Sequence, residues 1–386
     1  MPYFFNKNVM FSISVFLFSL NMFSIRATLL SYFFIFLLMI FYWFERVEID
    51  SRKIYMVFIF FIFFNVFILI ASLMHGLYVN YYIKFLLIQA YVLSILVLYW
   101  KRIIDADTIE YSCKTLIMIH CFFFILQFSF YQLTGEYLDF NNYVREVESE
   151  SLYLTQALSE QILKIRAVGL YSEPSFFSMS VLPPVAFILA RNKFNIYAFI
   201  GLISAILSLS IASIVVSFLL ILFFIFSIKK HLAHKLILIS LIVISSPVIY
   251  SVYDLRINQS VDYDAVAVRT AIFDEFRERD NMSKIFGSGV FFDETQPVGR
   301  THLDGYQTRD SSFYIYLYFI LGYVGLFFLL SIFFVFYKSF PRSVLFLFPV
   351  LLFKYHILYG MLWFVFISFY ILSDEKLSVS ASYENR

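Results

Sequence analysis

The sequence predicts an all-α polytopic membrane protein, on three observations: apolar runs of membrane-crossing length, a scarcity of charge, and a sorting of the remaining charges to the ends of those runs. Of 386 residues, 61% are hydrophobic and 22% aromatic, and 15% are charged, against roughly a quarter charged in an ordinary soluble domain. Mean hydropathy is +0.81. A soluble globule is excluded. The net charge of +2 gives no positive field that would recruit nucleic acid. Helices are required because a bilayer offers the backbone no outside hydrogen-bond partner, and the alternation of a lipid-facing barrel is absent.

Along the chain the apolar runs fall at 9–25, 27–44, 54–74, 83–100, 115–133, 175–190, 196–209, 211–228, 236–251, 312–337, 343–355 and 357–372. Most match a hydrocarbon core of ~30 Å, so about twelve transmembrane helices are expected in one integral domain over 1–386. The joins at Arg26, Ser210 and Lys354 to Tyr359 divide longer apolar stretches. The first run lacks a small-x-small cleavage site and reads as a retained helix, not a removed signal. Cys113 and Cys121 are eight apart, with no CxxC spacing, and read as packing residues.

Orientation follows from Lys and Arg in short connections. One set of ends carries 16 of the 29, including Lys7, Arg46, Lys101, Arg191, Lys229, Lys338 and Arg386. The opposite short connections hold only Arg26, Lys84 and Lys354. Both termini are therefore expected in the cytoplasm, with two long loops outside it, 134–174 and the larger 252–311. The acidic residues all fall in these loops or at the cytoplasmic ends, none within a predicted span, which argues against an ion-coupled transporter. Asn65, Gln89, His120 and Gln127 lie within spans and read as interhelical hydrogen-bonding groups.

Polar chemistry concentrates where the loops re-enter the membrane. Arg166-Ala-Val-Gly169-Leu-Tyr-Ser-Glu173-Pro174-Ser175 closes the first loop. Pro174 suits a first helical turn, and Ser172 or Glu173 can cap it or face its dipole. Capping accounts for Glu173 and Pro174 but not for Arg166 and Gly169. Pro183-Pro184, within the next span, is expected to kink or break it and open a cavity below the loop.

In the second loop, Arg269 to Arg279 carries apolar residues at 272, 273 and 276, one face of a short amphipathic helix. Gly287-Ser-Gly289 follows, fitting either a plain turn or close approach of backbone to a ligand. His302 and then Arg309-Asp310-Ser311-Ser312 precede the next span, where an N-cap by Asp310 or Ser311 is the structural alternative to a site. Arg166, Arg269, Arg277, Arg279, Arg300 and Arg309 are permanently charged planar donors suited to carboxylates or a diphosphate. The histidines are scattered, and His231-x-x-His234 sits in a basic connection, so no metal site and no cofactor are expected. There is no Gly-x-Ser-x-Gly elbow, and no cytoplasmic loop could form a nucleotide-binding domain.

These features resemble the bacterial O-antigen or capsule repeat-unit polymerases, the Wzy type. The likeness covers the architecture of nearly the whole chain: about twelve helices, two large outer loops, and a hydroxyl-rich hairpin at Leu207-Ser-Leu-Ser210-Ile-Ala-Ser213. In motif it rests on Arg166-x-x-Gly169-x-x-x-Glu173-Pro174-Ser175, on Arg269 followed by Gly287-x-Gly289, and on Arg309-Asp310-Ser311-Ser312 with Gly322 and Gly325 beyond. The last departs from the family's common His-Asn-Ser stretch, so a histidine role would pass to His302 or be absent. The resemblance implies transfer of a growing glycan from undecaprenyl diphosphate to a lipid-linked repeat unit at the outer face of the bacterial cytoplasmic membrane, with a flippase and a chain-length regulator as further partners. Chemistry of this kind needs charge stabilisation for the leaving diphosphate and a base for the acceptor hydroxyl. Arg166 and Arg269, then Arg309, are the candidates for the first task, with Gly169, Ser175, Gly287 and Gly289 at the binding surface. Glu173, then Asp310 and His302, are candidates for the second, although Glu173 beside Arg166 could instead only orient it. An O-antigen ligase shares the architecture. A lipid-oligosaccharide flippase and a non-enzymatic transporter or sensor fit the long outer loop and the charge distribution less well.

Overall fold

The computed structural model describes residues 6–43, 51–73, 76–146, 165–191, 193–227, 265–292, 297–298, 303–304 and 311–384, together with 236, 240, 243, 246, 247 and 250. Among them the regular secondary structure is helical apart from one two-residue ladder, Pro297–Val298 against Leu303–Asp304. The α-helices are α1 (Lys7–Ser19), α2 (Ile25–Trp43), α3 (Ser51–Leu73), α4 (Val79–Trp100), α5 (Ala106–Thr134), α6 (Pro174–Ala190), α7 (Ile196–Leu207), α8 (Ile211–Ser227), α9 (Ala265–Glu278), α10 (Asn281–Phe286), α11 (Phe313–Ser339), α12 (Pro341–Val350) and α13 (Gly360–Glu384). The predicted span 236–251 lies largely outside the described residues.

By length and composition, four helices can cross a membrane: Ile25–Tyr42, Val79–Trp100, Ala106–Thr134 and Phe313–Ser339. Their outward faces stay apolar, with Phe36, Leu87, Phe122 and Phe327 exposed, as lipid-facing surfaces require. This marks a membrane protein. Several other predicted spans are shorter helices, because the chain interrupts them. The run 9–25 ends its helix at Ser19 and turns through 20–24, and the run 343–355 stops at Val350. Residues 351–359 are not helical, yet Leu351, Phe353, Tyr355 and Tyr359 are fully buried.

Helices α5 and α6 run antiparallel and fix the two ends of the bundle. At one end Glu110, in the second turn of α5, accepts Lys114 at 2.7 Å, Arg191 at 2.9 Å and Lys193 at 2.7 Å. This carboxylate lies within a helix long enough to span, not in a connection ahead of it, and three cations compensate its burial. The opposite end carries Glu173.

Of the kink or break expected at Pro183-Pro184, the break does not occur: α6 continues through both prolines. A proline at 183 cannot donate to the carbonyl of residue 179. The Tyr355 hydroxyl donates to that Met179 carbonyl instead, and the side-chain hydroxyl of the next residue, Ser180, shares a hydrogen bond of 2.8 Å with the Tyr359 hydroxyl. The break falls in α11, which the sequence reads as an uninterrupted span. Gly322 there has φ 59° and ψ −149°. The carbonyls that this break releases are taken up by the second loop. Ser288 N–H donates to Phe319 O at 2.9 Å and Gly289 N–H to Ile320 O at 3.2 Å. The Arg279 guanidinium donates to Phe319 O at 3.1 Å and Tyr318 O at 3.4 Å.

The tyrosine substitution for a backbone donor is testable as a cycle. Tyr355→Phe is expected to destabilise the protein by about 1–3 kcal/mol, the cost of a buried carbonyl left unpaired. In a Pro183→Ala background, where the residue 183 amide can serve Met179, the same change is expected to cost much less, read by thermal unfolding in detergent.

Candidate functional site

Side chains stitch several helix ends together on the side of the bundle where α6 begins. Asn21, in the turn after α1, donates to Leu358 O at 3.1 Å and accepts from Gly360 N–H at 2.9 Å, tying that turn to the start of α13. Phe313 N–H, at the start of α11, lies 3.2 Å from Leu351 O and 2.9 Å from Phe353 O, just beyond α12. Ser178 joins the α7–α8 turn through Ser213 at 2.7 Å and Ser208 at 3.2 Å. The hydroxyl-rich hairpin of the sequence is thus a buried clasp on α6. Below it, His120 Nε2 lies 3.0 Å from Ser19 Oγ and 3.1 Å from the Tyr171 hydroxyl.

The first loop returns along α5 through residues 165–173. The Gln127 side chain accepts from Val168 N–H at 2.7 Å and Gly169 N–H at 3.0 Å and donates to Leu138 O at 2.6 Å. Gly169 has φ +60°, and a Cβ there would press on the α5 backbone at Phe124 N, 3.3 Å away. Its place is close packing of loop against helix. Gly287 is closely packed as well. At φ +78° it faces the Ile320 carbonyl, while Gly322 faces the carbonyls of Lys284 and Ile285. With Gly289 hydrogen-bonded to Ile320, the Gly-x-Gly turn docks the second loop into the broken helix, and its approach is to protein backbone.

Arg279 belongs to that docking too. Its side chain is buried, 3.4 Å from Glu275, 2.7 Å from Ser288 Oγ, and 4.4 Å over the Phe319 ring. A cation at the C-terminal end of a helical segment is where the macrodipole favours it. Arg279 therefore serves the fold, whereas the sequence placed it among the diphosphate donors.

Glu173 occupies the N-cap position of α6 with Pro174 in the first turn, as expected, but its side chain makes no capping bond. The carboxylate Oε2 accepts from Ser175 Oγ at 2.9 Å and from Lys354 Nζ at 2.8 Å. Lys354 Nζ also lies 4.9 Å from the centre of the Phe176 ring. Burial works against the charged carboxylate. The Lys354 charge, the bonds from Lys354 and Ser175 and the Arg166 charge outweigh it, holding Glu173 below the usual carboxylate range. Arg166 is itself buried. The Glu173 side chain is 41% exposed and Lys354 20%, so the pair can be reached from outside the bundle.

Sequence reasoning missed Lys354. It stood out only as one of three basic residues in the otherwise uncharged connections, a signal too slight to assign. Arg269 is a position on α9, and Arg300, His302, Arg309 and Asp310 lie outside the described residues. Ser311 and Ser312, next to the last two, are described, and Ser312 is the N-cap residue of α11. The two loop re-entry points, at Glu173 and at Phe313, therefore meet on the same strip, 351–354. Among the described residues no group of three His, Cys, Asp or Glu side chains could hold a metal ion.

Two outcomes are expected. Gly287→Ala should destabilise the protein by roughly 2–5 kcal/mol, from left-handed backbone strain together with overpacking. Gly135→Ala, with φ +76° but open space around it, should cost only about 1 kcal/mol, both read by thermal unfolding. The second concerns pH. A carboxylate whose folded pKa is depressed contributes stability that is present above its unfolded value and lost as pH falls through the folded one. The melting-temperature advantage of the native chain over Glu173→Gln should therefore be full at neutral pH and shrink once pH drops below about 4.5, the ordinary value for this group.

Compared with family models, curated proteins and solved structures, the chain finds no match in any of the three.

Proposed function

We propose that this chain is a glycosyltransferase that polymerises undecaprenyl-diphosphate-linked oligosaccharide repeat units into O-antigen or capsular polysaccharide. On this reading about twelve helices cross the bacterial cytoplasmic membrane, both termini are cytoplasmic, and loops 134–174 and 252–311 face outward. The observation that carries it is the junction at residues 351–354. There the re-entry of the first loop, with Glu173, Ser175 and Arg166, meets the re-entry of the second at Phe313. A polymerase has to handle two lipid-linked substrates whose reacting sugars sit at the membrane boundary, and a polar junction between two extramembrane loops suits that task.

In the proposed step the acceptor hydroxyl oxygen attacks the donor sugar C1 and the bond from C1 to the diphosphate oxygen breaks. Undecaprenyl diphosphate departs with the bonding electrons, and the hydroxyl proton passes to a base. Arg166, Arg269 and Arg309 are proposed to stabilise the departing charge. Glu173 is the leading base, with Asp310 and His302 as the other candidates. Paired with Lys354, Glu173 is a stabilised carboxylate and hence a weak base, so its use as a base requires that this pairing change.

The glycan ladder of a deletion strain tests the assignment. Single repeats capping the core identify a lost polymerase, whereas polymer accumulating on its lipid carrier, with bare core, identifies a ligase and overturns the proposal. Arg166→Ala and Arg269→Ala should each abolish polymer while protein abundance is unchanged on an immunoblot. Normal ladders from both variants would remove these arginines from the mechanism.

A further inference from the structure

Lys354 is placed at considerable structural effort. It sits on a non-helical strip buried inside an apolar bundle, where every free peptide group needs a partner. The strip is held by the Phe313 amide, by Asn21, by Tyr355 on α6, and by Trp363 Nε1, which donates to Ile357 O at 2.7 Å. Between Ser343 and Ser373 Lys354 is the one residue with a permanently charged side chain. A continuous helix from Pro341 onward would pack apolar residues more simply. What the irregular strip gains is an ammonium delivered to the helix junction at Glu173.

Glu173 in turn does not cap its helix, and among the described residues its hydrogen bonds from Ser175 and Lys354 converge on Oε2. The carboxylate thus fills a position with an ammonium and a serine hydroxyl in contact and the charge of Arg166 acting on it. That position is reachable, since Glu173 is 41% exposed. Phosphate oxygens are acceptors of the same kind and carry more charge.

We propose that the Glu173 carboxylate is the resident counter-ion of an oxyanion site built by Lys354 and Ser175, and that a diphosphate group of the ligand displaces it. Binding is an exchange of anions at Lys354 Nζ, with no bond made or broken covalently. Once displaced, Glu173 loses the ammonium that held it charged and stands as a free carboxylate beside the newly bound group. This deepens the reading above and rests on it only for the natural ligand, a polyprenyl diphosphate.

Titration calorimetry on the purified full-length chain in nanodiscs, with farnesyl diphosphate and inorganic pyrophosphate as probes, tests the exchange. Glu173→Gln should bind either probe about tenfold more tightly than the native chain, because an uncharged amide competes less well for the ammonium. Lys354→Gln should bind about tenfold more weakly, and Lys354→Arg should keep most of the affinity. In the double variant the gain from Glu173→Gln should vanish. Tighter binding of farnesyl diphosphate than of pyrophosphate would assign the site to a lipid headgroup, and equal binding to the diphosphate alone; the counter-ion role stands in both. The proposal is overturned if Glu173→Gln binds no tighter than the native chain, or if its gain survives in the double variant. Should Lys354→Gln fail to fold, the near-isosteric Glu173→Gln and the charge-conserving Lys354→Arg decide alone. A flat affinity series with a ladder defect in the deletion strain would remove the counter-ion and leave the polymerase. The expected series with a normal ladder would do the reverse.

Discussion

A peptide group buried among apolar helices has no water to turn to, and leaving it unpaired costs about 1–3 kcal/mol. Most of the fold's departures from simple helices can be understood as answers to that constraint. Where α11 breaks at Gly322, the carbonyls of Tyr318, Phe319 and Ile320 are met by Arg279 and by the amides of Ser288 and Gly289. Where Pro183 withholds its amide from Met179, Tyr355 supplies a hydroxyl. Where the first loop returns along α5, Gln127 takes two of its amides at once. Each irregularity is local in sequence, and its remedy comes from a distant part of the chain.

That division explains which polar residues remain for chemistry. Arg279, Gln127, Gly169, Gly287 and Gly289 are all engaged in holding irregular backbone, and a ligand that recruited them would have to disrupt the fold. Glu173, Ser175 and Lys354 are different. The contacts that join them, Ser175 to Glu173 and Lys354 to Glu173, run between side chains on groups that solvent can reach. A partly exposed ion pair of this kind contributes only modestly to stability by itself. Its placement on an elaborately supported strip is therefore better explained by what it presents than by what it stabilises.

How far the sequence disclosed this depends on the range of the signal. Local patterns were legible. Apolar run length marked the four helices long and apolar enough to cross a membrane, though not which of the other runs would be interrupted, the apolar residues at 272, 273 and 276 marked α9, and Glu173-Pro174 marked the start of α6. The proline pair misled because the usual rule assumes that no outside donor is at hand, and Tyr355 is 172 residues away in the sequence. Gly322 was visible as a glycine, but its break depends on Gly287 and Arg279 packing against it. Lys354 drew attention only as a basic residue on the wrong side of the charge asymmetry. Charge statistics register such a residue as noise, whereas its carboxylate partner, 181 residues earlier, shows why it is there.

The choice of lysine at 354 fits exchange better than permanent binding. An arginine fork holds a carboxylate through two parallel bonds and resists its replacement. An ammonium is a point charge on a flexible stem, and it can turn from one oxygen to another without reorganising a plane of donors. Phe176 lies under the Lys354 ammonium at 4.9 Å, giving the cation a face to rest on while its anionic partner changes. Arg166, buried and acting on Glu173 through its charge, supplies the fixed part of the field. A buried cation beside a more exposed one is the combination that lets an incoming anion be attracted before the resident one has left.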